Sequence, residues 1–193
     1  EEFFFFQLGL ARYRLCSSTS FKSHQIEVDC RVKEAAFSVV PFSLTSAQRI
    51  ALEQIIDDLQ RSSPMNRLLQ GEVGSGKTIV ALLAAVVVME NGFQVALLSP
   101  TEILAEQHYR TASEVLKDSR FEIGLVTGSM NTRIRRETIS RLEAGKTQMV
   151  IGTHALLGEN VKFRHLSMVV IDEQHRFGVQ QRLRIRSKGI TPD

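Results

Sequence analysis

The sequence predicts an α/β fold, in which a central, mostly parallel sheet has helices on both faces and follows a helical or linker segment. Three observations lead to this prediction. From about residue 65 onward, strand-like and helix-like segments alternate, an order typical of parallel sheets. The strand-like segments are apolar along their length, which indicates burial on both faces. A glycine-rich stretch also lies where a strand would pass into a helix.

The composition fits one globular domain. The chain has 193 residues, of which 43% are hydrophobic and 23% are charged, a profile able to fill a core. Its net charge of +3 permits a nucleic-acid partner without arguing for one. Cys16 and Cys30 fit no metal or redox spacing, so we expect a reducing, cytoplasmic setting. No apolar run approaches the roughly 20 residues of a membrane span, so we expect no membrane partner.

The first forty residues have the weakest pattern. Residues 1 to about 15 are predicted to form a helix, "CSSTSFKSH" is typical of a polar linker, and residues 26–40 are compatible with a strand or a short helix. The acidic start does not resemble a signal peptide. Because the chain lacks an initiator methionine and ends without a closing element, we expect it to be a piece of a longer protein.

A helix with a clear start follows Pro41. Apolar residues recur at roughly helical spacing between residues 44 and 60. Thr45 followed three residues later by Gln48 predicts a capping box at its start. The sequence Ser-Ser-Pro at residues 62–64 predicts its end.

The remainder alternates between strands and helices. The predicted strands are "MNRLLQ", "FQVALLS", "FEIGLVTG", "TQMVIGTH" and "LSMVVIDE". The predicted helices are "IVALLAAVVVME", "PTEILAEQHYRTASEVLKD" with Thr101 as N-cap, and "NTRIRRETISRLEAG" closed by Gly145. Because ligands bind at the carboxyl ends of the strands in such sheets, we expect the site among residues that follow these strands.

Residues 71–78, "GEVGSGKT", match the phosphate-binding pattern G-x-x-x-x-G-K-[ST] at every fixed position. Glycines let the backbone bend around a phosphate, and its amides then lie at a helix N-terminus, where an anion is favoured. A chance match in an ordinary turn is disfavoured by the strand predicted before it and the helix predicted after it. The candidate ligand-binding residues are Gly71, Gly74, Ser75, Gly76, Lys77 and Thr78. We expect Lys77 to reach the β and γ phosphates and Thr78 to hold Mg²⁺ through its hydroxyl.

Two acids, Asp172 and Glu173, end the last apolar run. In phosphate-loop enzymes the first acid helps to hold Mg²⁺ and the second orients or deprotonates the attacking water. Since neighbouring strand residues point to opposite faces, we expect one carboxylate to face the metal and the other the water. The alternative is a surface turn with solvated carboxylates. His175 is either a coupling residue beside the γ-phosphate or a hydrogen-bonded histidine at the start of a loop.

"GEVGSGKT" together with "IDEQH" resembles a superfamily 2 helicase of the DExH type. "SPTEILAEQH", "VTGSM" and "IGTHALL" resemble the motifs of such helicases that contact a DNA backbone. "DEQHRFGVQQR" resembles the RecG family of ATP-dependent helicases that act on branched DNA. The resemblance covers about residues 41–190 and implies a RecA-like P-loop domain with ATP and Mg²⁺ as cofactors and branched DNA as partner.

The resemblance also implies roles for particular residues. In that family a glutamine before the phosphate loop reads the adenine. Gln48 matches it, with helix capping as the alternative, and Phe42 is a candidate to pack on the base. The implied DNA contacts are Thr101, Thr127, Ser129 and Thr153, with ordinary helix capping as their alternative. Residues 1–40 look like the end of an upstream wedge region with a linker helix. Residues 41–193 look like the first lobe of the motor, without the second lobe.

Two other functions compete with this interpretation. A transcription-repair coupling translocase has a similar motor, but its phosphate loop usually has a bulky residue at the position of Ser75 and its acidic box reads closer to DEEQRFG. A catalytically silent nucleotide-binding scaffold is disfavoured because the catalytic residue types are retained. We expect the intact protein to remodel forked DNA in recombination and repair. The lobe alone should turn ATP over poorly, because an arginine finger from a second lobe contributes roughly 10³–10⁵ in rate.

Overall fold

The computed structural model describes residues 3–5, 7–9, 22 and 25–189. Within this part of the chain, four strands form one sheet in which every neighbouring pair is parallel. The order across the sheet is β2-β3-β1-β4. The strands are β1 (Gln94–Leu98), β2 (Ile123–Val126), β3 (Met149–Gly152) and β4 (Leu166–Ile171). The predicted α/β class with a parallel sheet is confirmed.

Helices connect the strands and cover the sheet. The longer helices are α1 (Cys30–Ser38), α2 (Ser46–Gln60), α3 (Lys77–Glu90), α4 (Glu102–Val115), α5 (Thr132–Glu143) and α6 (Val179–Arg186). Two short 3₁₀ turns, His154–Leu157 and Gln174–Arg176, follow β3 and β4. Among the described residues, no helix is both long and apolar enough to cross a membrane.

The sheet separates two apolar clusters, as alternation of side chains along a strand requires. Val95 and Leu97 of β1 belong to one cluster, which they share with α3 and the buried residues of α2 and α4. Ala96 and Leu98 belong to the other, which includes buried residues of α5 and α6. Both faces of β1 are therefore covered, which explains why its sequence is apolar without alternation.

The segment before the sheet is helical where the structure describes it. Residues 3–5 and 7–9 are helical, as predicted for residues 1 to about 15, but residues 10–21 lie outside the described residues, as does most of the predicted polar linker. The stretch 26–40, for which a strand and a helix were both open, contains α1. Its start is set by Asp29, whose Oδ1 accepts a hydrogen bond from the Val32 amide at 2.8 Å.

The predicted capping box at the start of α2 is confirmed. Thr45 Oγ1 accepts from the Gln48 amide at 3.3 Å, and Gln48 Oε1 accepts from the Thr45 amide at 2.9 Å. Each side chain therefore satisfies one backbone donor that the first turn of a helix leaves without an intrahelical partner.

The prediction of a strand at "MNRLLQ" is wrong, because residues 64–72 have no regular secondary structure. Leu69 packs against the core, whereas Leu68 is 67% exposed. The Arg67 side chain is instead tied to α2, through Asp58 Oδ2 at 2.6 Å and Gln54 Oε1 at 3.0 Å. Apolar composition indicates burial, but a strand also needs a neighbouring backbone in register, which a short segment does not encode.

Candidate functional site

The carboxyl ends of the four strands lie at one edge of the sheet. The Ser99 amide, just after β1, donates to the Gly152 carbonyl of β3 at 2.8 Å. The Asp172 amide, just after β4, donates to the Leu98 carbonyl of β1 at 2.9 Å. These two hydrogen bonds extend the ladders past the strand ends. They hold the residues after β1 and β4 next to each other at the edge where ligands bind in sheets of this kind.

The loop of residues 71–76 leads directly into α3 and turns sharply at two glycines. Gly74 and Gly76 have φ values of 81° and 83°, in the left-handed region that glycine adopts without steric cost. The Ser75 amide donates to the Glu72 carbonyl at 3.2 Å, which closes a turn within the loop. Gly76 is the N-cap of α3, so the loop backbone lies at a helix N-terminus. A glycine-rich loop at a helix N-terminus is a kind of backbone that can bind an anion.

The ammonium group of Lys77 is hydrogen-bonded to the backbone of this loop. Lys77 Nζ donates to the Gly71 carbonyl at 2.8 Å and to the Glu72 carbonyl at 2.6 Å. The positive charge is also close enough to Asp172 to contribute to the lowering of its pKa. The two side chains make no direct ion pair, so the Lys77 charge acts on Asp172 across a longer distance.

Asp172 is charged and fixed by hydrogen bonds to both carboxylate oxygens. Oδ2 lies 2.8 Å from His108 Nε2, and Oδ1 accepts from the Glu173 amide at 3.0 Å. The hydrogen bond from His108 is the largest cause that lowers the pKa of Asp172, and the Lys77 charge adds to it. Hydrogen bonds and a nearby cation favour the ionised carboxyl, so this side chain is an oriented anion beside the lysine.

Glu173 departs from the expected strand geometry. β4 ends at Ile171, and Glu173 adopts φ 46° and ψ 54°, the one positive φ at a non-glycine residue in the described part of the chain. Both acids lie after the end of β4, so the alternation of strand side chains does not orient them, and which carboxylate faces the metal stays a prediction. Glu173 Oε2 lies 3.0 Å from Arg176 Nε. Left-handed residues other than glycine cost of order 1–3 kcal/mol and cluster at functional sites.

The remaining predicted nucleotide-binding residues differ in exposure. Thr78 is half-buried in the first turn of α3. Phe42 is 51% exposed. His175 lies exposed in the 3₁₀ turn after Glu173.

Gln48 joins α2 to the phosphate loop. In addition to its capping role, its Nε2 donates to the Ser75 carbonyl at 2.9 Å. A Cβ atom at Gly76 would lie 2.3 Å from the same nitrogen, so the close approach depends on glycine. The capping role is confirmed, and adenine recognition by Gln48 stays a prediction.

The four candidate DNA-contacting hydroxyl residues follow β1, β2 and β3, but they differ in exposure. Thr101 and Ser129 are exposed, and Thr127 and Thr153 are only 3% and 2% exposed. Thr101 Oγ1 accepts from the Leu104 amide at 3.3 Å, which is the capping alternative. Thr153 caps the short turn after β3. In this conformation only Thr101 and Ser129 present their side chains to solvent.

Two functional contacts were missed by sequence reasoning, and both come from α4. Glu102 Oε1 accepts from the backbone amides of Gly128 at 2.8 Å and Ser129 at 3.0 Å. His108 bonds Asp172, as described above. The sequence contains one pattern that indicates a contact of His108. The buried Ala105 and Ala112 lie on the same helix face as His108, with Ala105 at i, His108 at i+3 and Ala112 at i+7. A histidine on a buried face requires a polar partner.

Comparisons with known proteins agree with this geometry. The family model described as DEAD/DEAH box helicase matches residues 45–190. The ATP-dependent DNA helicase RecG of Aquifex aeolicus (strain VF5) is 45% identical over 98% of this chain and 24% of its own length. RecG of Synechocystis sp. is 43% identical over 100% of this chain and 23% of its own length. The chain thus spans about a quarter of the length of these curated relatives.

Solved structures agree as well. A structure of RecG bound to a three-way DNA junction matches with a TM-score of 0.79 and 37% identity, covering 95% of this chain and 24% of that one. A hypothetical ATP-dependent RNA helicase from Sulfolobus tokodaii matches with a TM-score of 0.64 and 18% identity, covering 85% of this chain and 48% of that one, which shows a shared fold alone. The resemblance to RecG helicases is confirmed along the chain, which belongs to the DEAD/DEAH box helicase family.

Proposed function

We propose that this chain provides the ATP-binding lobe of a RecG-type helicase, which couples ATP hydrolysis to the remodelling of branched DNA. The observation that supports this most directly is the glycine-rich loop with Lys77 bonded to its carbonyl oxygens, because the charge of this lysine also helps to lower the pKa of Asp172. In this proposal residues 41–193 are the first RecA-like lobe, and residues 1–40 are the end of an upstream region. A second lobe of the same protein would complete the ATP site.

The residues of the loop fit a nucleoside triphosphate with Mg²⁺. Gly74 and Gly76 have positive φ values, as a tight glycine turn requires, and Lys77 supplies a cation bonded to the same loop. Mg²⁺ is commonly held by one or two protein oxygens together with phosphates, and Thr78 and Asp172 are the proposed ligands. When bound, the metal neutralises charge that develops on the phosphate oxygens.

Glu173 is the proposed group that orients or deprotonates the attacking water. Its left-handed backbone turns it away from the line of β4, and Arg176 holds its carboxylate at 3.0 Å. His175, in the next turn, is the proposed coupling residue.

The DNA backbone is proposed to cross the same edge of the sheet. Thr101 and Ser129 present exposed side chains there. In this conformation the Ser129 hydroxyl and the amides of Gly128 and Ser129 donate to Glu102, so a phosphate would take the place of that carboxylate. Contacts of this kind hold phosphates without reading sequence, as suits a motor that acts on DNA structure. RecG itself has been seen bound to a three-way DNA junction.

Comparison of ATPase stimulation by a forked DNA and by a linear duplex of the same length tests this function in the full-length protein. We expect turnover to rise strongly with the fork and weakly with the linear duplex. A catalytically silent scaffold would show no turnover with either DNA. Equal stimulation by the two DNAs would contradict the branched-DNA specificity and favour a translocase of the transcription-repair coupling type.

Gln48→Ala is expected to reduce the preference for ATP over GTP, because we propose that the Gln48 amide also contacts the adenine. The measurement is the ratio of the two dissociation constants. Thr45→Ala is the matched control, since it removes the other half of the capping box at a similar cost to α2, about 1 kcal/mol, and leaves the amide in place. An unchanged ratio in Gln48→Ala would limit this residue to capping and to its bond with Ser75.

A further inference from the structure

We propose that His108 is a positioning residue, which holds the Asp172 carboxylate in the orientation that binds Mg²⁺. The inference rests on the proposed nucleotide site. His108 lies outside the two motifs that define that site, the phosphate loop and the pair of acids. His108 Nε2 lies 2.8 Å from Asp172 Oδ2. An ionised carboxylate can only accept, so the histidine is the donor. Its side chain is only 15% exposed, against 37% for Asp172, so the contact is shielded on the histidine side.

The bond fixes a side chain that would otherwise rotate. Asp172 has its second oxygen, Oδ1, bonded to the Glu173 amide at 3.0 Å. A donor on each oxygen leaves the carboxylate one favoured orientation. Outer partners of this kind orient metal ligands, and their loss typically costs 10–100-fold in metal affinity or activity.

His108 is presented by a helix that is itself anchored to the same edge. α4 starts at the Thr101 cap, and its first residue, Glu102, accepts from the amides of Gly128 and Ser129. Ala105 and Ala112 of the same helix are buried. His108 lies six residues after Glu102, about 9 Å along the axis. One rigid helix therefore links the loop after β2 to the carboxylate after β4.

The test measures how Mg²⁺ changes nucleotide affinity in the full-length protein, with a fluorescent ATP analogue as the probe. In His108→Leu the donor is lost, and we expect the Mg²⁺ concentration for half-saturation to rise about 10–100-fold. Nucleotide affinity measured without Mg²⁺ should stay the same. His108→Gln should stay close to wild type, since its amide nitrogen is three bonds from Cβ, as Nε2 is.

A second loss-of-contact variant guards against a folding defect. In His108→Asn the side chain is polar, but its amide nitrogen is one bond closer to Cβ and does not reach Asp172. This variant should therefore need the same raised Mg²⁺ concentration as His108→Leu, and it tests the proposal if His108→Leu is unstable. Unchanged Mg²⁺ dependence in both loss variants would overturn the proposal, as would an equal loss in His108→Gln. Absence of nucleotide binding by the wild-type protein would instead refute the proposed ATP site, so the two failures are distinguishable.

Discussion

Glu173→Gln is expected to leave ATP binding intact and to lower ATP hydrolysis by about 10²–10⁴-fold, the usual contribution of a positioned acid or base. The substitution keeps the shape of the side chain and removes its charge. Because the backbone at Glu173 is left-handed, a substitution of the same shape is chosen so that the turn is kept. Phosphate release in the presence of forked DNA measures hydrolysis, and a fluorescent nucleotide measures binding.

Glu72→Gln is the matched control for this variant. It removes an equal charge from an exposed residue of the phosphate loop, whose backbone carbonyl, rather than its side chain, contacts Lys77. Turnover should remain near the wild-type rate. If Glu173→Gln also keeps wild-type turnover, another group activates the water, and the proposed role of Glu173 is wrong.

Lys77→Ala is expected to weaken ATP binding severely. Removing one partner of a hydrogen-bonded charge pair costs about 2–5 kcal/mol, which corresponds to a loss of roughly 30-fold to several-thousand-fold in affinity. In the structure the ammonium is already directed at the loop, where it bonds the carbonyl oxygens of Gly71 and Glu72. Titration of a fluorescent nucleotide into the full-length protein measures the effect.

The control for this variant is Lys146→Ala, which removes an equal charge from an exposed residue just after α5. Melting temperatures of both variants should be recorded, since Lys77 also ties the loop together. Wild-type nucleotide affinity in Lys77→Ala would refute the phosphate-loop assignment. If the melting temperature of Lys77→Ala falls by a large amount, the lost binding is instead explained by damage to the loop.

Elements whose determinants are local were predicted well. The capping box of Thr45 and Gln48, the Thr101 cap of α4 and the glycine turn into α3 all depend on residues within a few positions of each other. Strands β1 to β4 were found because burial on both faces leaves a continuous apolar run. The family resemblance rested on the same short motifs and is confirmed by the relatives.

Other features depended on partners far along the chain. "MNRLLQ" is as apolar as a strand, yet Arg67 bonds α2 and the segment pairs with no described strand. β4 ends at Ile171, where the apolar run also ends, but no local pattern indicates the left-handed backbone of Glu173. His108 meets Asp172 across 64 positions of sequence, and only its place on the buried face of α4 pointed to such a partner.

Residue order alone was enough to specify the α/β class, the phosphate loop and the pair of acids, since propensity, periodicity and glycine chemistry act over a few neighbouring residues. Folding was needed to bring the Lys77 charge near enough to lower the pKa of Asp172, to place His108 on that carboxylate and to bury Thr127 and Thr153. Those contacts depend on how the helices pack on the sheet. Packing is determined by many side chains that are distant in the sequence, so a short motif does not encode it.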